Sequence, residues 1–290
     1  MKLNVRNMLL VARSEYIKWL MNPRMVMLLV ILVPIRELII LPMLRAAQEM
    51  NQPLNIFESC IAAVNSGWII LLMPLAYIVL ISSFPTADDN MMFYISRMGR
   101  KNWILGEMLF QVLSAATYCL VMMSATLVQT ANHSFLANGW SIPVTDYDKV
   151  FGEAATVRMD VIVPPNLYYQ MSPYKAFFLS YFLMFLFLLL CSMIFLVGCL
   201  FSRKLLFFFL LMIQIAVGCA LQAAGTGMMW FFPISHSVLR AHYRSYFRQY
   251  IFSPWLSMGV FFVLLVCLAA ISYRRANKVN LDMIGGHILS

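Results

Sequence analysis

Charge is scarce in this sequence. Only 11% of its 290 residues are Asp, Glu, Lys or Arg, against about 25% in soluble domains. That is too little polar surface to cover a globule in water, so an ordinary soluble fold is excluded. The segments of about ten alternating residues that a membrane β-barrel needs are also missing; the apolar stretches are continuous and about twice as long. None of the 12 glycines is followed directly by Lys, so there is no GxxxxGK[ST] loop to cradle a phosphate. HExxH and GxSxG are absent. The six cysteines, Cys60, Cys119, Cys191, Cys199, Cys219 and Cys267, form no CxxC pair, which indicates neither a zinc site nor a disulfide framework. All but Cys60 fall in predicted spans, where a thiol acts as a small hydrophobe. His133, His236, His242 and His287 lack metal-ligand spacing, so no metal is expected.

What the chain has is hydrophobic sequence: 62% of its residues, with a mean hydropathy of +0.80. The expected fold class is all-α, a polytopic membrane protein with a single transmembrane domain over residues 1–290. Residues 1–22 predict an amphipathic helix lying in the interface plane. Val5, Met8, Leu9, Ala12, Tyr16 and Leu20 fall on one face, with Tyr16 and Trp19 expected at headgroup depth. These first residues mix Lys, Arg and Glu into the apolar pattern and predict no cleavable leader. Six transmembrane helices are expected at about 25–44, 67–84, 103–128, 176–201, 205–230 and 255–273. Twenty residues at 1.5 Å each cover about 30 Å, the hydrocarbon thickness. Residues 45–65 read as a loop with an interfacial segment near Ile56 to Val64. Residues 129–173 form an extracytoplasmic loop too short for a large independent domain.

Six spans put both termini on one side of the membrane. The opposite side then holds Arg45, Lys149, Arg158, Lys175, Arg240, Arg244 and Arg248, and Arg36 lies within a span. That leaves 13 of the 21 Lys and Arg on the terminal side, which predicts cytoplasmic termini. The net charge of +9 is read the same way, as loops facing cytoplasm and anionic lipid; no nucleic-acid partner is expected.

The loop between the second and third spans carries the most specific pattern. Asp88 and Asp89 suit the first turn of a short helix, favoured by its dipole. Met91, Met92, Tyr94 and Ile95 supply an apolar face. Arg97, Arg100 and Lys101 follow, Gly99 permits a sharp change of direction, and Trp103 is expected to anchor the next span at the interface. A helix of this kind can be pushed by a partner docked beneath it, or it is a basic loop that merely sets topology.

Within the spans, Glu107, Gln111, Ser114 and Tyr118 share one helical stripe, as do Gln214, Gly218, Gln222 and Gly225. Polar groups in hydrocarbon face either a partner helix or a watery cavity, so these stripes either pack helices or line a substrate path. Arg36 and Glu37 sit near mid-span, bracketed by Pro34 and Pro42, with the same two readings. Beyond the fifth span, His236, Arg240, Arg244 and Arg248 recur at strict i+4 spacing. The pattern predicts a basic helix of about four turns against lipid phosphates, or one that steers an anionic cargo. Asp146-Tyr147-Asp148 has the form of a DxD metal pair, but two acids beside Lys149 in an outer loop read first as a solvated turn, and Asn132-His133-Ser134 fits a glycosylation sequon.

The run Arg97-Met98-Gly99-Arg100-Lys101-Asn102-Trp103-Ile104-Leu105-Gly106 resembles the coupling loop of permease subunits of type-2 (ABC-2-like) ABC transporters, in a bacterial exporter class. The segments Leu54-Asn55-Ile56-Phe57-Glu58, Asn65-Ser66, Ser172-Pro173-Tyr174 and Phe232-Pro233-Ile234-Ser235-His236 extend the resemblance over most of the chain. Glu107 departs from the Lys or Gln expected after Trp-Ile-Leu-Gly. The resemblance implies an N-terminal elbow helix, six spans and a cytoplasmic coupling helix between spans two and three. It also implies a second permease subunit, and a separate ATPase subunit that binds ATP and Mg in place of any cofactor here. The implied work is export of an amphiphilic peptide, lipid, glycan or drug across a bacterial plasma membrane. A membrane-embedded enzyme needs convergent catalytic groups, whereas the spans offer only dispersed Glu37 and Glu107; a non-transporting accessory or sensor subunit is the other rival.

Overall fold

In the computed structural model, residues 3–85, 89–244 and 249–277 are described, with 89–93 described by their backbone alone. The chain is an all-α, multi-pass membrane protein. Five helices are long and apolar enough to cross a bilayer, or six if one bent pair counts as a span. Helix α1 (Val5–Leu20) opens on Asn4, whose side chain accepts from the Arg6 N–H and so satisfies one orphan donor of the first turn. The first span runs from Pro23 to Glu49, as α2 (Val26–Ile35), a π-helical turn (Arg36–Ile40) and α3 (Leu41–Glu49). Pro34 and Pro42 each remove a backbone donor. The chain stays helical through both, and in the wider turn between them the Leu41 N–H reaches the Arg36 carbonyl. The span therefore continues past the expected end at residue 44.

Next come β1 (Leu54–Asn55), α4 (Glu58–Asn65) and α5 (Gly67–Ile81). Helix α4 occupies the place of the expected interfacial segment, and it is enclosed by protein. All of its residues are buried, and it meets α5 at 78°. Its small side chains let it lie deep among α5, α7 (Arg100–Thr130) and α11 (Pro173–Leu200). Its polar atoms are matched there: Ser59 to Thr130 at 3.2 Å, Cys60 to Thr126 at 2.9 Å, and Asn65 to Ser180 at 2.9 Å. Each such bond is worth about 1 kcal/mol net, but a buried donor left unmatched costs more.

Helix α6 (Asp89–Met98) precedes α7, and Gly99 between them has φ +85°, a backbone state that L side chains rarely adopt. The 131–172 segment holds β2 (Ser134–Phe135), paired in parallel with β1, and the short helices α8 (Ile142–Phe151), α9 (Met159–Ile162) and α10 (Pro165–Tyr168). Buried Glu58 binds this cap to the bundle. Its carboxylate accepts from the N–H of Asn55 at 2.9 Å and from the N–H and hydroxyl of Ser141 at 2.6 and 2.7 Å.

Helix α11 is the central span, with 78% of its most apolar window buried. A three-residue turn leads into α12 (Lys204–Ala223), as the tight hairpin expected there requires. Helix α12 ends earlier than the expected 230, and Gly225 has φ +66° just beyond it. A 3-10 turn (Gly227–Phe231), α13 (Pro233–Ser237) and a second 3-10 turn (Leu239–His242) lead to α14 (Pro254–Ala276). Helices α12 and α14 bury only 17% and 22% of their apolar windows, so their outer faces are left for lipid or a partner chain.

Helix α1 packs along the first half of α7. Contacts run from Asn4 with Asn102 to Tyr16 with Thr117. The buried face is Val11, Ala12, Glu15 and Trp19, while Val5, Leu9 and Leu20 are exposed. Trp19 does not face outward. It is fully buried with its ring against Tyr16 and Phe110. Trp103 is likewise buried and donates to Glu107 at 3.0 Å, so it is not an interfacial anchor. Large aromatic area moves into helix contacts when a neighbour helix is available to cover it.

Candidate functional site: a groove between α5 and α12

At the loop-rich end of the bundle, α5 and α12 diverge around a cavity of about 480 Å³. Gly67, Trp68, Ile70 and Leu71 line it from α5; Ala216, Cys219, Ala220, Gln222 and Ala223 line it from α12; and Arg240 closes it. The wall is mostly apolar, and Gln222 and Arg240 bring strong donors to it. The Gln222 Nε2 is buried with no hydrogen-bond partner. The Arg240 guanidinium has no ion pair or hydrogen bond among the described residues. Burial holds the Arg240 pKa below its ordinary value, with nearby Cys219 opposing that shift. A cation in such a place needs a counter-charge, or it costs several kcal/mol.

The sequence gives a reason for that isolation. Between Asp160 and Asp282 the chain contains no Asp or Glu. Every element around Arg240 on the C-terminal side of the bundle therefore lacks an anion to offer it. This acid-free stretch is the signal that marks the groove, and loop-by-loop counting of Lys and Arg passes over it.

Arg240 is held by its backbone. Its N–H donates to Asn65 Oδ1 at 3.1 Å, and its carbonyl accepts from Asn166 Nδ2 at 2.6 Å. Asn65 in turn donates to the Ile61 carbonyl and to Ser180, both at 2.9 Å. On either side of Arg240, His236 and His242 turn inward to one hydroxyl. His236 Nδ1 and His242 Nε2 each lie 2.8 Å from Ser257 Oγ of α14. Their other ring nitrogens meet the carbonyls of Trp230 at 2.9 Å and Val238 at 3.0 Å. Trp230 stacks on Phe252 beside them, with centroids 4.6 Å apart. Burial pushes both imidazoles below the ordinary histidine value, His242 to about 4 with His236 contributing.

This arrangement corrects the expected four-turn basic stripe. The helix stops at Ser237, Val238 is extended, a 3-10 turn covers 239–242, and Tyr243 pairs with Tyr250. Anchoring two imidazoles on Ser257 is incompatible with one continuous helix. His236 is buried, Arg240 lines the groove and Arg244 is exposed; Arg248 lies outside the described residues.

The other predicted site residues divide between packing and surface. Glu107, Gln111, Ser114 and Tyr118 are all buried inside the bundle. Ser114 bonds to Tyr77 at 3.0 Å, and the Tyr118 hydroxyl donates to the Met73 carbonyl at 2.8 Å. That stripe joins α7 to α5 and is absent from the groove lining. On α12, Gln222 lines the groove, while Gln214 does not. Gly218 admits Ile234 and Phe232 of the following segment so closely that a Cβ would meet them. Arg36 and Glu37 are exposed.

At the opposite end, Tyr94 is partly buried and Arg97 exposed on α6. Arg100 Nη1 donates to the Asn277 carbonyl at 2.6 Å, just beyond the C-terminal end of α14, and Lys101 lies 5.6 Å from the Tyr273 ring centroid. Asn102 ties α6 to α1, accepting from the Asn4 N–H at 3.0 Å and donating to the Met98 carbonyl at 2.7 Å. Asp88 and the Asp89 side chain lie outside the described residues. Searches against protein-family models, curated proteins and solved structures give no match to this chain.

Proposed function

We propose that this chain is the permease subunit of an ATP-driven exporter of the ABC-2-like class, and that its groove holds an anionic amphiphile in transit. The observation that carries this reading is a mostly apolar cavity between two spans that holds the buried, unpartnered Gln222 Nε2 and the Arg240 guanidinium, which has no ion pair among the described residues. Arg offers a planar fork of donors suited to phosphate or carboxylate, and the apolar wall suits an acyl chain or an apolar side chain.

Helix α5 runs from the groove at Gly67 to Ile81, α6 is the next helix in the chain, and α6 is tied to α7 through Gly99 and Asn102. In this proposal a separate ATPase subunit docks at α6, with Asp88, Asp89, Tyr94, Arg97, Gly99, Arg100 and Lys101 as the coupling surface. ATP binding there would move α5 and α7 and change access to the groove. ATP and Mg belong to that partner, and this chain contributes no hydrolytic site. The setting is a bacterial plasma membrane with both termini cytoplasmic and a second permease subunit alongside.

The test is flux of a fluorescent anionic amphiphile in liposomes containing this chain and its ATPase. Uptake should require ATP and should fall at least tenfold in Arg240→Met. Equal flux without ATP, or from Arg240→Met, would count against the reading.

A further inference from the structure

The first span has a feature that its own chain leaves unresolved. The helix runs from Pro23 to Glu49 over 27 residues, and Arg36 is its midpoint. At 1.5 Å per residue, Arg36 and Glu37 lie about 18–20 Å beyond Arg24 and about 12–14 Å short of Arg45, the charged residues that flank the apolar stretch. Both side chains are exposed, on the face that also exposes Val26, Leu29, Val30 and Val33. Neither makes an ion pair or hydrogen bond among the described residues. The π-helical turn that begins at Arg36 carries both charges; such turns are frequent at functional positions.

A lone charge at bilayer centre costs about 2.5–3.5 kcal/mol by insertion scales. Snorkelling serves residues near helix ends, and these are at the middle. Lipid headgroups lie at another depth and cannot neutralise them. The covering surface must offer an anion to Arg36 and a cation to Glu37 at one depth, surrounded by apolar side chains.

We propose that this face is covered by the same face of a second copy of this chain, with Arg36 of each copy paired to Glu37 of the other. A two-fold axis along the membrane normal brings identical patches together at equal depth. Adjacent residues differ by only about 1.5 Å in height, so one symmetric contact forms two reciprocal ion pairs. Val26, Leu29, Val30 and Val33 then pack around or below them, excluding lipid. This deepens the paired-subunit part of the proposed function, but its test needs neither ATPase nor substrate.

The experiment co-expresses two differently tagged full-length chains and measures cross-capture after extraction in mild detergent. Wild type should pair. Arg36→Glu alone places four carboxylates at the contact and Glu37→Arg alone places four cations there; each should lower self-capture at least tenfold. Mixing Arg36→Glu on one tag with Glu37→Arg on the other restores opposite charges and should recover capture. The double exchange, Arg36→Glu with Glu37→Arg, should also recover self-pairing, which shows that the altered chains insert and fold. Single variants that self-pair like wild type would overturn the proposal. So would a mixed pair or double exchange that fails while the chains remain expressed, the result expected if a different membrane protein covers this face. Loss of ATP-dependent flux with pairing intact would instead strike only the transport reading.

Discussion

Replacing Arg240 with Met separates a ligand site from a structural one, because the two roles predict opposite signs. The side chain changes length little, and the Arg240 backbone keeps its bonds to Asn65 and Asn166. What disappears is a partly buried cation with no partner among the described residues. Exchanging a poorly compensated buried charge for apolar volume is commonly stabilising, by about 1–4 kcal/mol. Partial exposure of Arg240 places the expectation at the lower end, about 1–2 kcal/mol. For a chain of this size each kcal/mol moves the midpoint by about 2–4 °C. Thermal unfolding in a neutral detergent should therefore show Arg240→Met a few degrees more stable than wild type. Adding an anionic amphiphile should reverse the order. A ligand at a hundred times its Kd stabilises by about 2.7 kcal/mol, and only wild type should receive that gain. If Arg240→Met is less stable without ligand, the guanidinium is holding the fold together and the groove loses its claim as an anion site.

Other consequences follow from the packing. A Cβ on Gly106 would lie 2.6 Å from Val11 Cβ and 2.9 Å from the Met8 carbonyl oxygen, so Gly106→Leu should lift α1 from α7. The expected cost is about 1–3 kcal/mol, with faster proteolysis near residue 20; unchanged cleavage would mean that α1 is not docked there. Glu58→Ala abandons the Asn55 and Ser141 donors, at about 1–3 kcal/mol each, and hydrogen exchange should rise across 134–151 more than in α11. The pH dependence follows from His242, whose folded pKa of about 4 lies below its ordinary 6.5. The unfolded chain takes up the proton first, so this contribution is complete above pH 6.5 and is lost as pH falls toward 4, a total of about 3 kcal/mol. His242→Gln should flatten the acid limb of the stability profile over that window; an unaltered limb would refute the assignment.

Much of this architecture is legible in the sequence because lipid leaves few choices. Long apolar runs become helices, and three polar residues between Phe201 and Leu205 leave room only for a hairpin. The prediction went astray where tertiary contacts override local pattern. The Ile56 to Val64 segment reads as interfacial, but Ser59 and Asn65 find partners on α7 and α11 while Glu58 binds Asn55 and Ser141, and the helix is enclosed by protein. The i+4 spacing of His236 to Arg248 looks helical, yet Ser257, far along the chain, captures both histidines and breaks the run. Trp19 and Trp103 read as interface anchors until a neighbouring helix covers them. The groove was half visible: Gln222 stood out as a polar residue in a span, but its conjunction with Arg240 depends on how the 224–239 segment folds back. Gly99 could be read directly, since a helix followed immediately by another at a sharp angle calls for a positive φ.

The central claim is that this chain is moved by force made in another polypeptide, and reconstitution tests it most directly. The purified chain, alone and then with an ATPase captured from its native membranes, is placed in liposomes and net flux of an anionic amphiphile is measured against its gradient. The account predicts no uphill flux from the chain alone, and ATP-dependent flux from the complex that is lost when Arg97 is changed to Glu. Uphill flux or chemical turnover by the chain alone would contradict it.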